Sequence, residues 1–141
     1  MIKAVIDTNV LVSGLVHTNS ATAPTIIIDA WVSGQFTLIL SDHIRAELLR
    51  TLNKPYFKKR IAKQKIKRFI KLLDSLVKTT VIIEEIHHTA THPEDDIILA
   101  TAVNAKADYL VTGDKKLLQK VGISFRDIKL VTPAEFLKLL Y

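Results

Sequence analysis

The chain has 141 residues, no cysteine, four glycines and four prolines, and 48% of its residues are hydrophobic. This composition excludes a disordered or low-complexity chain, and the lack of cysteine excludes a disulfide scaffold, a thiol nucleophile and a zinc finger. Twenty Lys and Arg residues against fourteen Asp and Glu residues give a net charge of +6, which favours polyanionic partners. The length predicts one domain over residues 1–141.

The apolar runs of the sequence are short. None approaches the roughly 18 uninterrupted apolar residues of a membrane-spanning helix, because the longest candidates contain Asp29 or Lys71. The apolar run at the N-terminus stops at Asp7 and lacks the basic start of a secretory signal. We therefore expect a cytoplasmic protein without a membrane segment, which agrees with the absence of cysteine.

Five short runs rich in β-branched residues predict strands, since each is too short for a helix. They are Ile2–Ile6, Thr37–Leu40, Thr79–Ile83, Tyr109–Thr112 and Ile128–Val131. Helical patterns and start signals lie between and after them. The predicted helices are Ala23–Ser33, Asp42–Asn53, a long helix near residues 61–77, Pro93–Lys106, Lys115–Lys120 and Pro133–Leu140. This alternation predicts an α/β fold, a three-layer α/β/α sandwich around a mostly parallel five-stranded sheet.

Acidic residues lie where the strands of such a sheet end. Functional groups gather beyond the carboxyl ends of parallel strands. Asp7 ends the first predicted strand, Glu47 lies in the helix after the second, and Asp114 follows the fourth. Asp95 and Asp96 begin the helix that leads to the fourth strand. We expect these five side chains to form the candidate site.

Converging carboxylates suggest a metal ion. They repel one another at neutral pH unless a cation neutralises them. Mg²⁺ and Mn²⁺ prefer oxygen ligands, keep waters of which one can be activated, and polarise a phosphodiester. The acids therefore indicate phosphodiester hydrolysis with Mg²⁺ or Mn²⁺. The candidate metal ligands are Asp7, Glu47, Asp95, Asp96 and Asp114.

Four segments resemble the motifs of the PIN domain in their order and spacing. They are Ile6–Ser13 (IDTNVLVS), Ser41–Leu48 with Glu47, Glu94–Ala100 (EDDIILA) and Leu110–Leu118 (LVTGDKKLL). Each motif is weak alone, but together they extend over essentially the whole chain. The branch that the chain most resembles is the short, single-domain prokaryotic PIN proteins often described as VapC-like toxins.

The resemblance implies a Mg²⁺- or Mn²⁺-dependent endoribonuclease that acts on single-stranded RNA. The implied catalytic quartet is Asp7, Glu47, Asp95 and Asp114. Asp95 takes the third place when the family motif is counted back from Ile98–Ala100, with Asp96 as the close alternative. The chain departs from the branch at His92 and Lys116, where an Asp is frequent.

The resemblance also implies supporting residues and partners. Thr8, Asn9 and Thr112 match small polar positions that orient carboxylates or metal waters in the family. An antitoxin protein is an implied partner, as is a second copy of the chain in a homodimer or larger assembly. The apolar end of the sequence, Phe136–Tyr141, is a candidate surface for self-association.

Half of the basic residues lie between positions 54 and 78, where Asp74 is the only acid. Such a run is usually a solvated face, but beside a nuclease site we expect it to contact RNA phosphates and to lose affinity with salt. The predicted nucleic-acid-binding residues are Lys58, Lys59, Arg60, Lys63, Lys67 and Arg68. Tyr56 and Phe57 either stack on a base or pack under the loop.

Other functions agree less well with the sequence. An inactive PIN-like module that binds nucleic acid or a protein would not need all four acids. A phosphohydrolase of similar fold would need a second acid where Asn9 stands. A zinc site built on His87, His88 and His92 lacks a complete ligand set. The chain is short for the helical clamp of a structure-specific DNA nuclease.

Overall fold

Strands and helices alternate along the chain. The computed structural model describes residues 1–16 and 21–141. In chain order the elements are β1 (Lys3–Ile6), α1 (Thr8–Val16), α2 (Ala23–Val32), β2 (Thr37–Ser41), α3 (Asp42–Leu52), α4 (Pro55–Arg60), α5 (Lys63–Leu76), β3 (Lys78–Thr80), α6 (Pro93–Ala105), β4 (Tyr109–Val111), α7 (Lys115–Val121), β5 (Ser124–Phe125), β6 (Ile128–Val131) and α8 (Pro133–Leu140). Within these residues no helix is long and apolar enough to cross a membrane.

The strands form one sheet in the order β3-β2-β1-β4-β6-β5. Neighbouring strands are parallel, except that β5 pairs antiparallel with β6 at one edge. From β1 the chain passes to β2 and β3 on one side, and then crosses back to β4 on the other side of β1. The strand order therefore reverses between β1 and β4. In open parallel sheets, ligands bind at such a point, beyond the carboxyl ends of the strands.

Helices cover both faces of the sheet. Because crossovers between parallel strands are right-handed, the connection from β1 to β2 and the return from β3 to β4 lie on opposite faces. α1 packs against α2 and α2 against α8, whereas α6 packs along the strands from β3 to β4. Val5, Ile39 and Leu110 in the central strands are fully buried. The predicted α/β class is confirmed, with six strands rather than five.

The additional strand, β5, belongs to a tight hairpin. Arg126 and Asp127 connect β5 to β6, and their φ angles are both positive, at 45° and 63°. Two such residues in succession match a type I′ turn, for which asparagine and glycine are the usual sequence signals. An Arg-Asp pair after a strand of two residues carries no such signal, which explains why the hairpin was not predicted.

α1 and α4 also lie where no helix was predicted. α1 is rich in β-branched residues and buried on most of its surface, so its sequence shows no amphipathic stripe. It packs so closely on α2 that a Cβ atom at Gly14 would lie 2.5 Å from Ile28 Cδ1 and 2.7 Å from the Pro24 carbonyl oxygen. This contact fixes α1, whose N-terminus directly follows Asp7, against the rest of the fold.

The third strand is shorter than predicted. β3 ends at Thr80 rather than at Ile83, and the Val81 and Ile83 side chains are largely exposed. Beyond β3, the Oδ1 atom of Asn104 on α6 accepts hydrogen bonds from the backbone N–H groups of Ile83 and Glu84, each at 3.0 Å. After β3, the backbone therefore forms hydrogen bonds with the Asn104 side chain instead of with a neighbouring strand.

The apolar last helix, predicted as a surface for self-association, is largely part of the core. The ring of Phe136 is fully buried and packs edge-on against Phe36 and Tyr109, at centroid distances of 5.1 and 5.9 Å. Two leucines of α8 are partly buried beside it. Leu139 and Tyr141 are the large apolar side chains of the predicted surface that remain exposed.

Candidate active site

Asp7 lies between β1 and α1, where the strand order reverses. Its backbone N–H donates to the Val111 carbonyl oxygen at 2.9 Å, which joins the ends of β1 and β4. Its carboxylate accepts hydrogen bonds from Thr112 Oγ1 at 2.9 Å and from the Asn9 backbone N–H at 3.5 Å. Asp7 is 7% exposed. Burial raises the pKa of its carboxyl, the charge of Asp114 adds to the rise, and the hydrogen bonds oppose it.

Thr112 links Asp7 to Asp114. Its buried hydroxyl donates to Asp7 and accepts a hydrogen bond from the Asp114 backbone N–H at 3.1 Å. Asp114 in turn caps α7, because its Oδ1 atom accepts from the backbone N–H groups of Lys116 and Leu117 at 2.9 and 3.3 Å. The Oδ2 atom of Asp114 has no hydrogen-bond partner among the described residues, so it is free to bind a ligand.

The two adjacent aspartates at the start of α6 have different surroundings. Asp96 is 6% exposed, and its two oxygens accept hydrogen bonds from the backbone N–H groups of residues 88–90, at 3.1, 3.1 and 2.7 Å. No described residue donates a hydrogen bond to the Asp95 carboxylate. Burial raises the pKa of Asp95, and the charges of Asp7 and Asp114 add to the rise. Asp95 therefore lies near the other site acids. Asp96 instead fixes the backbone of residues 88–90, which precedes α6, through hydrogen bonds.

Glu47 joins the site from α3. With Glu94 and Arg50 it lines a small cleft of about 70 Å³ between α3 and α6. Burial raises the pKa of Glu47, the charges of Glu94, Asp7 and Asp95 add to the rise, and Arg50 opposes it. Glu94 was not among the predicted site residues. Its position in the acidic first turn of α6, one residue before Asp95, was the available sequence signal.

The carboxylates are close enough to perturb one another, but they form no ion pair with any residue that the structure describes. The ion pairs of residues 1–16 and 21–141 lie elsewhere, and they join Arg45 to Asp74, His87 to Glu85 and Arg126 to Glu84. In the same residues, no three His, Asp or Glu side chains are already arranged to hold a metal ion. The donor chemistry nevertheless fits a hard divalent cation, because the site offers carboxylate oxygens whose negative charge lacks an ion-paired partner.

The three predicted supporting residues differ in what they contact. Thr112 bonds to a site carboxylate through its side chain, whereas Asn9 does so through its backbone N–H. The Thr8 hydroxyl is buried and has no hydrogen-bond partner among the described residues. A buried hydroxyl without a partner is uncommon in folded proteins.

All six basic residues predicted to bind nucleic acid are exposed on α4 and α5. They are Lys58, Lys59, Arg60, Lys63, Lys67 and Arg68. The Arg60 guanidinium lies 3.6 Å from the centre of the Tyr56 ring and covers one face of it. Phe57 on α4 is partly buried, and its ring packs against the core.

Three of these lysines also border an apolar groove of about 610 Å³ between α3, α4 and α5. Lys58, Lys63 and Lys67 lie along it, together with the buried side chains of Leu52 and Ile61. None of the site carboxylates lines this groove. The basic surface therefore combines positive charge with apolar contact area, at a distance from the acidic site.

The fold is shared with solved structures of low sequence identity. The crystal structure of VapBC2 from Rickettsia felis bound to a DNA fragment from their promoter has a TM-score of 0.61 and 16% identity, and covers 93% of this chain and 98% of that chain. The crystal structure of PAE2754 from Pyrobaculum aerophilum has a TM-score of 0.61 and 18% identity, and covers 99% of this chain and 89% of that one. The sequence matches no curated protein. A family model for the PIN domain matches residues 3–116, and the chain therefore belongs to the PIN domain family.

Proposed function

We propose that this PIN domain is a metal-dependent endoribonuclease that hydrolyses phosphodiester bonds in single-stranded RNA. PIN domains are generally nucleases. One observation carries the proposal: the buried Asp7, with a raised pKa and no ion pair among the described residues, lies among Glu47, Asp95 and Asp114 where the strand order reverses. Folding such a group of acids without an ion pair among the described residues is costly, so the arrangement is best explained by a bound cation.

Mg²⁺ or Mn²⁺ is the proposed cofactor. Asp7, Glu47, Asp95 and Asp114 would hold the ion, since all four offer hard oxygen ligands. Asp96 is the weaker candidate, because its oxygens already accept hydrogen bonds from three backbone N–H groups. When bound, a divalent ion neutralises the acids, polarises the phosphodiester and makes a water molecule a better nucleophile.

The side chains around the ion have separate tasks in this proposal. Thr112 and the Asn9 backbone hold the Asp7 carboxylate in one orientation, and the first turn of α7 does the same for Asp114. Glu47 on α3 and Asp95 on α6 would complete the set of carboxylate ligands from the other side of the site. No side chain of the site is proposed as a nucleophile.

The exposed basic residues of α4 and α5 are proposed to bind RNA phosphates. Their contacts would be independent of sequence and would weaken as salt rises, since binding releases counterions from the nucleic acid. Such contacts bring affinity to a site whose own acids repel RNA. The positive charge of α4 and α5 is therefore placed on a surface separate from the carboxylates.

The proposed biological setting is the cytoplasm, as the toxin of a toxin–antitoxin pair. An antitoxin protein would be the partner, and the chain would assemble as a homodimer or larger. The support is similarity in fold to VapBC2 from Rickettsia felis, a complex solved with a DNA fragment from their promoter. Light scattering measures the molar mass of the purified chain, which tests the homodimer or larger assembly. The same measurement with a co-expressed partner tests the complex with an antitoxin.

A cleavage assay tests the proposed chemistry. Labelled single-stranded RNA and a DNA of the same sequence are incubated with the protein in Mg²⁺, in Mn²⁺ and in EDTA. We expect RNA cutting that needs metal and that Asp7→Asn reduces by about 100-fold or more, the scale on which one charge-stabilising group acts. Asp74→Asn is the matched control, because Asp74 pairs with Arg45 outside the site.

The alternative function predicts a different pattern in the same assay. Binding of RNA that falls with salt, without cutting in either metal, would indicate an inactive PIN-like binding module. Cutting of DNA alone would overturn the choice of RNA. Equal cutting by wild type and Asp7→Asn would contradict the assignment of the acidic site.

A further inference from the structure

An open cleft of about 410 Å³ lies beside the candidate catalytic acids, and its walls come from four parts of the chain. Asp7 and Asp114 form the side shared with the acidic site. The cleft has the size of a small-molecule site, for which roughly 300–1,000 Å³ is usual. An RNA strand that places a phosphate at the acids would bring a neighbouring nucleotide to this cleft.

Two polar side chains of α1, Asn9 and Ser13, line the cleft. Asn9 and Ser13 are four residues apart in the helix, so they project from the same face. Among the described residues, neither side chain forms a hydrogen bond. Ser13 is partly buried and Asn9 is exposed, so both side chains can be reached from the cleft. These groups are therefore available for a ligand that offers hydrogen-bonding atoms along one edge.

The remaining walls favour an uncharged, flat ligand. Val10, Pro24 and Pro133 contribute apolar surface to the cleft. No Lys, Arg or His among the described residues lines it, and its two charged groups are both acids. The walls away from the acids therefore offer no basic side chain to a phosphate, whereas an uncharged base would pack on the apolar surface.

We infer that this cleft is a nucleobase subsite for the RNA nucleotide next to the scissile phosphate, and that Ser13 and Asn9 select the base. The inference rests on the proposed ribonuclease function, because the cleft is placed by the acids that it shares. Bases differ in the donors and acceptors at their edges, and a serine hydroxyl and an asparagine amide can bond to either kind. Ser13 and Asn9 are thus assigned a role in specificity.

Sequencing the ends of cleavage products tests the assignment. The substrate is a single-stranded RNA in which every dinucleotide occurs, cut by wild type and by Ser13→Ala. We expect wild type to prefer one base beside the cut, and Ser13→Ala to reduce that preference by about three- to tenfold, the contribution of one hydrogen bond. Ser75→Ala on α5, whose hydroxyl bonds to the Lys71 carbonyl oxygen outside the cleft, should leave the preference unchanged.

A second variant tests the cleft without removing a polar group. A Cβ atom at Gly113 would meet no atom within 4 Å, so the Cβ atom of Gly113→Val has room and its two methyl groups add bulk beside the cleft. We expect it to lower the apparent affinity for RNA more than the cutting rate at saturating RNA. An unchanged base preference in both Ser13→Ala and Gly113→Val would overturn the inference, and so would a wild type without any preference.

Binding of free nucleosides separates this inference from the proposed function. The four ribonucleosides carry no phosphate, so the acids do not repel them, and NMR titration detects their binding without any cutting. We expect shifts of the Asn9, Ser13 and Gly113 amide signals that saturate for a preferred nucleoside and weaken in Ser13→Ala. If RNA is not cut but these shifts occur, the ribonuclease proposal fails and the base subsite stands. Shifts elsewhere, or none, would overturn the subsite even in an active enzyme.

Discussion

Asp95 and Asp96 are adjacent in sequence but have opposite surroundings, and this gives each a different expected role. The Asp96 carboxylate bonds to the backbone of residues 88–90, where His88 has a positive φ of 57°. We expect Asp96→Ala to lower the free energy of unfolding by about 2–4 kcal/mol, because it leaves three N–H groups without an acceptor. Urea denaturation measures the change.

The matched variant is Asp95→Ala. It removes a carboxylate whose pKa is raised by burial and by neighbouring acids and that accepts no hydrogen bond from a described residue. We expect stability to be kept or increased and RNA cutting to be lost. A loss of stability in Asp95→Ala equal to that in Asp96→Ala would contradict the division of roles.

The buried Asp7 should make stability depend on pH. Its native pKa is raised above the ordinary value of 3.8, so the native state binds the proton more tightly than the unfolded state. Stability is then highest below 3.8 for this group and falls as pH rises through the native pKa. Asp7→Asn removes this loss and keeps an oxygen acceptor for Thr112. At neutral pH without metal we expect a higher melting temperature, where about 1 kcal/mol corresponds to roughly 3–6 °C.

Metal ions supply the second arm of this experiment. Mg²⁺ or Mn²⁺ bound by the native state stabilises wild type by mass action, so the advantage of Asp7→Asn should shrink as the ion is added. Asp74→Asn, at an exposed ion pair, should show neither effect. Melting curves of wild type and Asp7→Asn that coincide with and without metal would argue against a clustered acidic site.

Among the elements, those with a clear period or boundary signal were the ones that could be predicted. α5 alternates buried Phe69 and Leu73 with charged faces, and the prediction near residues 61–77 matches Lys63–Leu76 closely. α1 is buried on most of its surface, and a helix without a polar face has no amphipathic period. β5 depends on a turn formed by Arg126 and Asp127, whose side chains give little indication of positive φ.

The basic helix α5 carries a prediction that can be tested apart from catalysis. Lys63→Glu combined with Lys67→Glu reverses two exposed charges, so RNA binding by the cutting-deficient Asp7→Asn background should weaken. The slope of log affinity against log salt should fall by about 1.4 for single-stranded RNA, which is about 0.7 for each phosphate that a lysine no longer neutralises. Fluorescence anisotropy at several salt concentrations measures both quantities.

The control for this charge reversal is Lys138→Glu in the last turn of α8. α8 begins at the carboxyl end of β6 and leads away from the edge that carries the acids, so this lysine should not contact RNA. Lys138→Glu changes the net charge by half as much as the double variant, so an effect half as large would show that net charge, rather than the surface of α5, determines binding.

At the scale of the whole molecule, topology explains why the acids could be predicted together. Asp7 and Thr112 are 105 positions apart in sequence, and the parallel pairing of β1 with β4 brings them into hydrogen-bonding distance. The rotation of α6 about its axis was not available from sequence, so the choice of Asp95 over Asp96 depended on the position of the family motif. The role of Glu94 could not be predicted for the same reason, because the side of α6 that faces α3 is known only once the two helices are packed together.

The chain is predicted to unfold as one unit, although the family match ends at residue 116. β6 continues the sheet beside β4, and α8 buries Phe136 between Phe36 and Tyr109. Residues 117–141 therefore complete the same core rather than forming a separate one. The single tryptophan, Trp31, lies on α2, and α2 packs on α8. Its fluorescence therefore reports on the core that residues 117–141 complete.

Phe136→Ala tests this cooperativity. The variant leaves a cavity in the core, so we expect it to lower the free energy of unfolding by about 3–5 kcal/mol. Tryptophan fluorescence and far-ultraviolet circular dichroism should report one shared urea transition for both proteins. Leu139→Ala, at a half-exposed position of the same helix, should lower stability much less, by about 1 kcal/mol or less. Two separate transitions, with Trp31 unaffected by Phe136→Ala, would mean that the C-terminal part folds independently and that the single-domain prediction is wrong.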